Sequence, residues 1–281
     1  MRYAYYFLIL NFLCLGAFAQ VTTPQPSPRG KVTQQVGLTE VELDYSRPSA
    51  RGRKIMGGLV RYDEIWRTGA NQNTTVSFSD AVNVAGQPLP AGKYALYTRP
   101  SLDQWEVYFY KKNNMGDASG KWEDDQVALT VTVPSVYFDP MVETFTLSFS
   151  DLNNNGASLN LIWEHTLVAI PFTVPTQMKA MGSIEKTLSG EPKAGDYYQS
   201  AVYYLNENID LNQAQTWMEK ALELQKNPAY WMYRQYALIL SKKMDKNKAI
   251  EAAKKSLELA EKAGNKDYVI MNKASIAEWS K

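Results

Sequence analysis

Two short runs carry the residue types from which a polar recognition site could be built. The first, I-W-R-T-G-A-N, gathers Trp66, Arg67, Thr68 and Asn71 around Gly69 and Ala70. Arg67 offers a planar fork of donors suited to a carboxylate or phosphate. Asn71 supplies a donor and an acceptor together, and Trp66 gives a flat face on which a sugar or base could lie. The second run, D-Y-S-R-P-S-A-R-G-R-K, adds Tyr45 as another flat face and places Arg47, Arg51, Arg53 and Lys54 close together, relieved by Pro48 and Gly52. Together the runs suggest an anionic or glycan ligand held by Tyr45, Arg47, Arg53, Trp66, Arg67, Thr68 and Asn71. The same residues have an architectural reading. In it R-T-G-A-N is a tight turn in which Gly69 takes a positive φ and Thr68 and Asn71 bond to nearby backbone. Arg67 then pairs with Asp44, Asp63 or Glu64, and Trp66 enters the core.

Enzymatic alternatives are few. His165, in W-E-H-T-L, is the one histidine; a Ser-His-Asp triad would depend on it, and a zinc centre would lack its usual two or three histidines. The sequence contains no G-x-S-x-G, H-E-x-x-H or G-x-x-x-x-G-K and no dinucleotide fingerprint, so neither a metal nor a cofactor is expected. Glycoside hydrolysis needs only two suitably spaced carboxylates. Glu40, Glu42 and Asp44 share one strand face, successive members about 7 Å apart, and a carbohydrate-active hydrolase using them is the alternative to a binding protein. D-A-S-G-K-W-E-D-D, from Asp117 to Asp125, has the composition of a calcium loop without the ligand order of an EF-hand.

The first twenty residues set the expected address. Arg2, an apolar run from Tyr5 to Leu15 and the ending Ala17-Phe18-Ala19 form the pattern of an export signal cleaved after Ala19. The apolar run is shorter than the roughly 20 residues needed to span a membrane, and no later segment is long and apolar enough. The one cysteine, Cys14, lies inside this signal, so disulfides and thiol chemistry are not expected in the mature chain. A periplasmic or extracellular location is expected. Thirty Lys and Arg oppose 29 Asp and Glu, which lacks the basic excess usual in a nucleic-acid binder.

These residues must be positioned by two different kinds of element. After a Pro-rich segment, 20–30, residues 31–173 alternate with period two, as in T-E-V-E-L-D-Y, Q-W-E-V-Y-F-Y, Q-V-A-L-T-V-T-V, E-T-F-T-L-S-F-S and S-L-N-L-I-W. Turn clusters separate them, which predicts an antiparallel β-sandwich-like domain. From 174 to 281 the period becomes helical. A shift of 35 residues superposes Tyr198, Tyr233 and Tyr268, Leu205 on Leu240, and Ala214 on Ala249, a period close to that of tetratricopeptide helix pairs. Helices are predicted near 176–189, 195–207, 211–226, 228–242, 245–263 and 266–280, with Asp210, Asp245 and Asn265 as N-caps. Barely two and a half repeats predict a tail that leans on the β domain. The fold class is therefore α+β in two domains. Trp217, Tyr230 and Trp231 read first as packing between tail helices and second as a groove for a partner protein of the cell envelope. Trp105, Tyr108, Tyr110, Trp122 and Tyr137 are expected in the core before they are expected to stack on sugars.

Three motifs in order, S-P-R-G-K-V-T-Q-Q-V-G-L-T-E-V-E-L-D-Y-S-R-P-S-A-R-G-R-K-I-M-G-G-L-V, then I-W-R-T-G-A-N, then L-P-A-G-K-Y-A-L-Y-T-R-P, resemble the exported bacterial family catalogued as domain of unknown function 2911. The resemblance covers roughly Ser27 to Phe172. It implies a signal peptide, a β-rich domain and often a helical tail, and it implies no activity. It places Tyr45, Ser46, Arg47, Pro48, Gly52, Arg53, Trp66, Arg67, Thr68, Gly69, Ala70 and Asn71 in the family's motif positions, with Arg61 standing where a proline is common. The expected protein is an exported, non-catalytic binding or scaffold protein.

Overall fold

The computed structural model describes residues 23–112 and 122–281. The expected signal peptide and residues 117–121 of the acidic D-A-S-G-K-W-E-D-D run lie outside the described residues. The chain divides into two compact units, one ending at Val174 and the other running from Pro175 to Lys281.

The first unit holds β1 (Arg29–Val36), β2 (Thr39–Ser46), β3 (Thr75–Phe78), β4 (Val82–Val84), β5 (Gln87–Leu89), β6 (Gly92–Pro100), β7 (Gln104–Tyr110), β8 (Val127–Asn153) and β9 (Gly156–Thr173). They form an antiparallel sheet in the order β1-β2-β3-β6-β7-β8-β9-β4-β5. Alternation acts as the sequence suggests. Val41, Leu43 and Tyr45 are buried, while on the opposite face of β2 Glu42 meets Lys31 at 2.6 Å and Asp44 meets Arg29 at 2.6 Å on β1.

Strand β8 differs from expectation. Q-V-A-L-T-V-T-V and E-T-F-T-L-S-F-S read as two strands, but they are the two ends of one strand of 27 residues. Its first part pairs with β7 as far as Pro134, and from Ser135 it pairs with β9 instead. Register shifts between Tyr137 and Thr146 bend it, as bulges do. The bend brings Phe145 and Leu147 over β2. There the Tyr45 hydroxyl accepts from Leu147 N (3.0 Å) and donates to Leu147 O (3.2 Å), and Tyr45 meets Phe145 edge to face at 5.9 Å. Further along, Ala50 N donates to Glu143 O and Phe145 N to Pro48 O. The sheet thus closes over one core that includes Leu43, Leu96, Trp105, Phe145, Leu161 and Trp163.

Strands β6 and β7 are covered on both faces. Ala95, Tyr97, Tyr108 and Tyr110 form a second cluster on the outer side with Trp122 and Val127, so Y-A-L-Y-T is buried at every position. Of the aromatics expected inside, Trp105 is in the main core, Tyr108 and Tyr110 are in this outer cluster, and Tyr137 is exposed.

The second unit contains α1 (Thr176–Leu188), α2 (Ala194–Glu207), α3 (Leu211–Leu224), α4 (Tyr230–Lys242), α5 (Lys246–Lys262) and α6 (Lys266–Trp279). The three expected caps are in place. Asp210 accepts from Asn212 N and Gln213 N, Asp245 from Lys248 N, and Asn265 from Tyr268 N. Ala214 and Ala249, equivalent under the 35-residue shift, are both fully buried, which lets each helix pair approach closely. A polar chain ties α4, α5 and α6 together: Ser256 donates to Tyr230 O (2.7 Å), and Asn272 Nδ2 donates to Ser256 Oγ (2.8 Å).

Two stability measurements follow from these contacts. Tyr45→Phe leaves the buried Leu147 N–H without its acceptor and is expected to cost roughly 1–3 kcal/mol; calorimetry should show Tm lower by about 2–12 °C. The Tyr108 phenol is pushed up from 10 to about 12, chiefly by burial and then by the hydrogen bond it donates to Glu106 (2.7 Å). The folded state therefore holds this proton to higher pH than the unfolded chain. That stabilisation is present below pH 10 and is lost as pH rises towards about 12. The loss of stability across that interval, followed by urea midpoints, should be shallower in Tyr108→Phe.

Candidate functional site

The loop from Trp66 to Thr74 is held in an uncommon backbone conformation. Thr68 has φ 55°, Gly69 φ 141° and Asn71 φ 55°. A β-branched residue with positive φ is a genuine outlier, and several bonds maintain it. Trp66 N donates to Thr98 O (2.7 Å) and Thr98 N returns a bond to Trp66 O (2.9 Å). The Thr68 hydroxyl lies 3.1 Å from that of Thr98, and the Thr74 hydroxyl donates to Thr68 O. Asn71 Nδ2 donates to Ser27 O (3.3 Å). Gly69 has no room for a side chain, since a Cβ would stand 2.9 Å from Thr74 Oγ1 and 3.2 Å from Ser46 O.

This loop forms one wall of a cleft of about 400 Å³ whose lining includes Pro48, Arg53, Leu59, Val60, Ile65, Trp66, Arg67, Gly69 and Trp163. That volume falls at the lower end of the range for small-molecule sites. Trp66 is half-buried. Its indole stacks on Trp163 with centroids 6.0 Å apart and meets Phe145 at 5.3 Å and Trp105 at 6.2 Å.

The arginines divide sharply. Arg47 donates to Phe145 O (3.3 Å) and Thr146 Oγ1 (3.0 Å) and lies over the Tyr45 ring. Arg53 donates to Ala50 O (2.9 Å) and Ser49 O (2.7 Å). Both guanidiniums bind their own chain's oxygens. Arg67 does not pair with the carboxylates expected for it: Asp44 is held by Arg29, and Glu64 by Arg61 at 3.4 Å. Half-buried and lining the cleft, Arg67 has no hydrogen-bond or ion-pair partner among the described residues.

The structure therefore brings Arg53, Trp66 and Arg67 to one cleft, with Thr68 and Asn71 holding its wall and Tyr45 and Arg47 stitching the sheet behind it. Sequence reasoning missed Leu59, Val60 and Trp163 as lining residues. Trp163 alternates like any core residue of β9, and only the closure of the sheet brings it to Trp66. Other candidates lie elsewhere. His165 is exposed, its ring stacks on Tyr137 at 5.3 Å, and its Nδ1 lies 3.1 Å from Phe138 O. Among the described residues no group of three or more His, Cys, Asp or Glu is placed to hold a metal.

In the second unit, Trp217 packs partly buried beside the core of α2 and α3 and meets Tyr204 at 4.7 Å. Tyr230 accepts from Asn265 Nδ2 (3.0 Å) and contacts Tyr268. Trp231 is exposed.

Fold and cleft together define an antiparallel β-sandwich-like protein with appended helix pairs and a tryptophan-walled recess. The chain belongs to the family described as protein of unknown function DUF2911, whose sequence pattern matches residues 27–172; the recess and its loop lie within that range. No curated protein matches the chain, and no solved structure does.

Two substitutions separate the wall from the free cation. Gly69→Ala is expected to cost roughly 1–3 kcal/mol, because the residue must keep a conformation disfavoured by a side chain. Arg67→Ala, which breaks no bond, should change stability by about 0.5 kcal/mol or less. Denaturant unfolding of both variants provides the comparison.

Proposed function

We propose that the protein is an exported binding protein of the cell envelope whose β unit takes an anionic or glycan ligand in the Trp66–Trp163 cleft. One observation carries the reading: half-buried Arg67 lines that cleft with no partner among the described residues. A cation drawn partly out of water is ordinarily paired, and a carboxylate or phosphate on a ligand would pair Arg67 while a sugar ring lies against the indole. The strained backbone at Thr68 supports the same reading, since such outliers cluster at ligand clamps. To the second unit we assign the docking of a protein partner, because helical repeats present extended surfaces and Trp231 is exposed on one of them.

The hydrolase alternative is less well supported. Among the described residues the cleft lining includes Arg53 and Arg67 but no carboxylate, and Glu42 and Asp44 are engaged by Lys31 and Arg29.

A thermal-shift screen with acidic and neutral oligosaccharides tests the proposal. A ligand at a hundred times its Kd adds about 2.7 kcal/mol, or roughly 5–10 °C for a domain of this size. An acidic glycan should produce such a shift in wild type and not in Arg67→Ala. Equal shifts in both proteins, or none in wild type with any acidic glycan, would sink the proposal.

A further inference from the structure

The second unit has its own recess, about 470 Å³, between α4 and the end of α6, with the end of α2 on one side. Two cations line it, Arg234 and Lys242. Arg234 is half-buried and donates through one nitrogen to Ser275 Oγ (2.9 Å) and Asn272 Oδ1 (3.4 Å). Lys242 donates to the carbonyl of Leu205 (3.0 Å). All these acceptors are neutral, and neither cation has a carboxylate partner among the described residues. Burial pulls the Arg234 guanidinium below its ordinary pKa, which is the sign of desolvation without a compensating anion. Donors remain on both groups, since a guanidinium carries five and an ammonium three.

We infer that this recess binds a carboxylate carried by an extended peptide segment of a partner protein. The inference rests on the reading that the second unit docks a protein. The recess also contains the exposed carboxylate of Glu278. Two cations against one carboxylate leave a single positive charge, which suits a monoanion better than a phosphate dianion. Leu205, Leu238 and Trp279 complete the walls. They provide apolar surface for a hydrocarbon side chain next to the acidic one, which inorganic phosphate lacks. From Thr176 onward, 16 basic residues oppose 13 acidic ones, a mild excess of the same sign as the recess.

The test is fluorescence anisotropy on the mature full chain with four fluorescein-labelled probes. Gly-Ser-Leu-Glu-Gly amide carries a side-chain carboxylate and Gly-Ser-Leu-Gln-Gly amide is its neutral counterpart. Gly-Ser-Gly-Leu as the free acid carries a terminal carboxylate, and its amide does not. At least one acid probe should bind tenfold or more tightly than its neutral counterpart, and which one does tells a side-chain carboxylate from a chain terminus. Lys242→Gln and Arg234→Gln should each weaken that probe about tenfold or more. Arg234 also braces α6, so Lys242→Gln, at an exposed position, decides if Arg234→Gln unfolds. Acid and neutral probes binding alike, with Lys242→Gln unchanged, would overturn the carboxylate site while leaving protein docking intact. No binding of any probe would likewise overturn the carboxylate site. Displacement of the acid probe by inorganic phosphate at equal concentration would make the recess a phosphate site and overturn the peptide assignment.

Discussion

Strand β8 cannot pair with β7 and β9 in a flat sheet and also satisfy Tyr45. In the strand order, β2 and β8 are separated by β3, β6 and β7, a distance of about 19 Å at the usual spacing between neighbours. Yet the Tyr45 hydroxyl on β2 is 3.0 Å from Leu147 N on β8. Only a sheet bent back on itself meets both conditions. The bend is placed where β8 changes partner, through the register shifts between Tyr137 and Thr146. Closure then provides the β unit with one continuous core, and aromatic rings from opposite strands meet inside it.

The cleft is a consequence of that closure. Once β8 lies over β2, the segment from Tyr45 to Arg53 becomes a seam: its hydroxyl, amides and guanidiniums bond to the backbone of residues 143–147 or to its own carbonyls. Trp66 enters beside Trp163 and Phe145 because the pairing of Trp66 with Thr98 places its indole at the end of the core. The chain must then leave this position and reach β3 at Thr75 within a few residues. It does so by the left-handed conformations at Thr68 and Asn71 and the extended-positive φ of Gly69. One constraint thus accounts for both the glycine and the neighbouring recess.

Local pattern made much of this legible. Helix limits follow from capping chemistry and 3.6-residue spacing, so α1 and α2 begin and end within a residue of expectation, and Asp210, Asp245 and Asn265 cap as read. Alternation in β2 shows which face Val41, Leu43 and Tyr45 occupy. Continuity through P-S-V-Y-F-D-P-M could not be read, because Val136, Tyr137 and Met141 are exposed and the segment loses its alternation where the register with β9 shifts between Tyr137 and Val142. The roles of the arginines were equally hidden. Arg47 meets acceptors 98 and 99 positions away, and backbone carbonyls have no signature in side-chain sequence. A basic cluster that looked like one surface therefore separates into guanidiniums bonded to oxygens of their own chain and one that is not.

That separation also explains why the two recesses invite the same physical interpretation. Arg47 and Arg53 each place two of their nitrogens against oxygens fixed by sheet and turn geometry. Arg67 receives none among the described residues, and the two acceptors of Arg234, an amide and a hydroxyl, both reach one of its nitrogens. Hydrogen bonds to neutral acceptors recover part of the hydration lost on burial, but they do not supply the opposite charge that a buried cation favours. Both incompletely compensated groups face cavities large enough to hold a ligand. A cation kept half-buried without a counter-ion costs stability, and an anion arriving from outside recovers that cost on binding. The chemistry of recognition is therefore set less by how many arginines the sequence contains than by which of them the fold leaves unsatisfied.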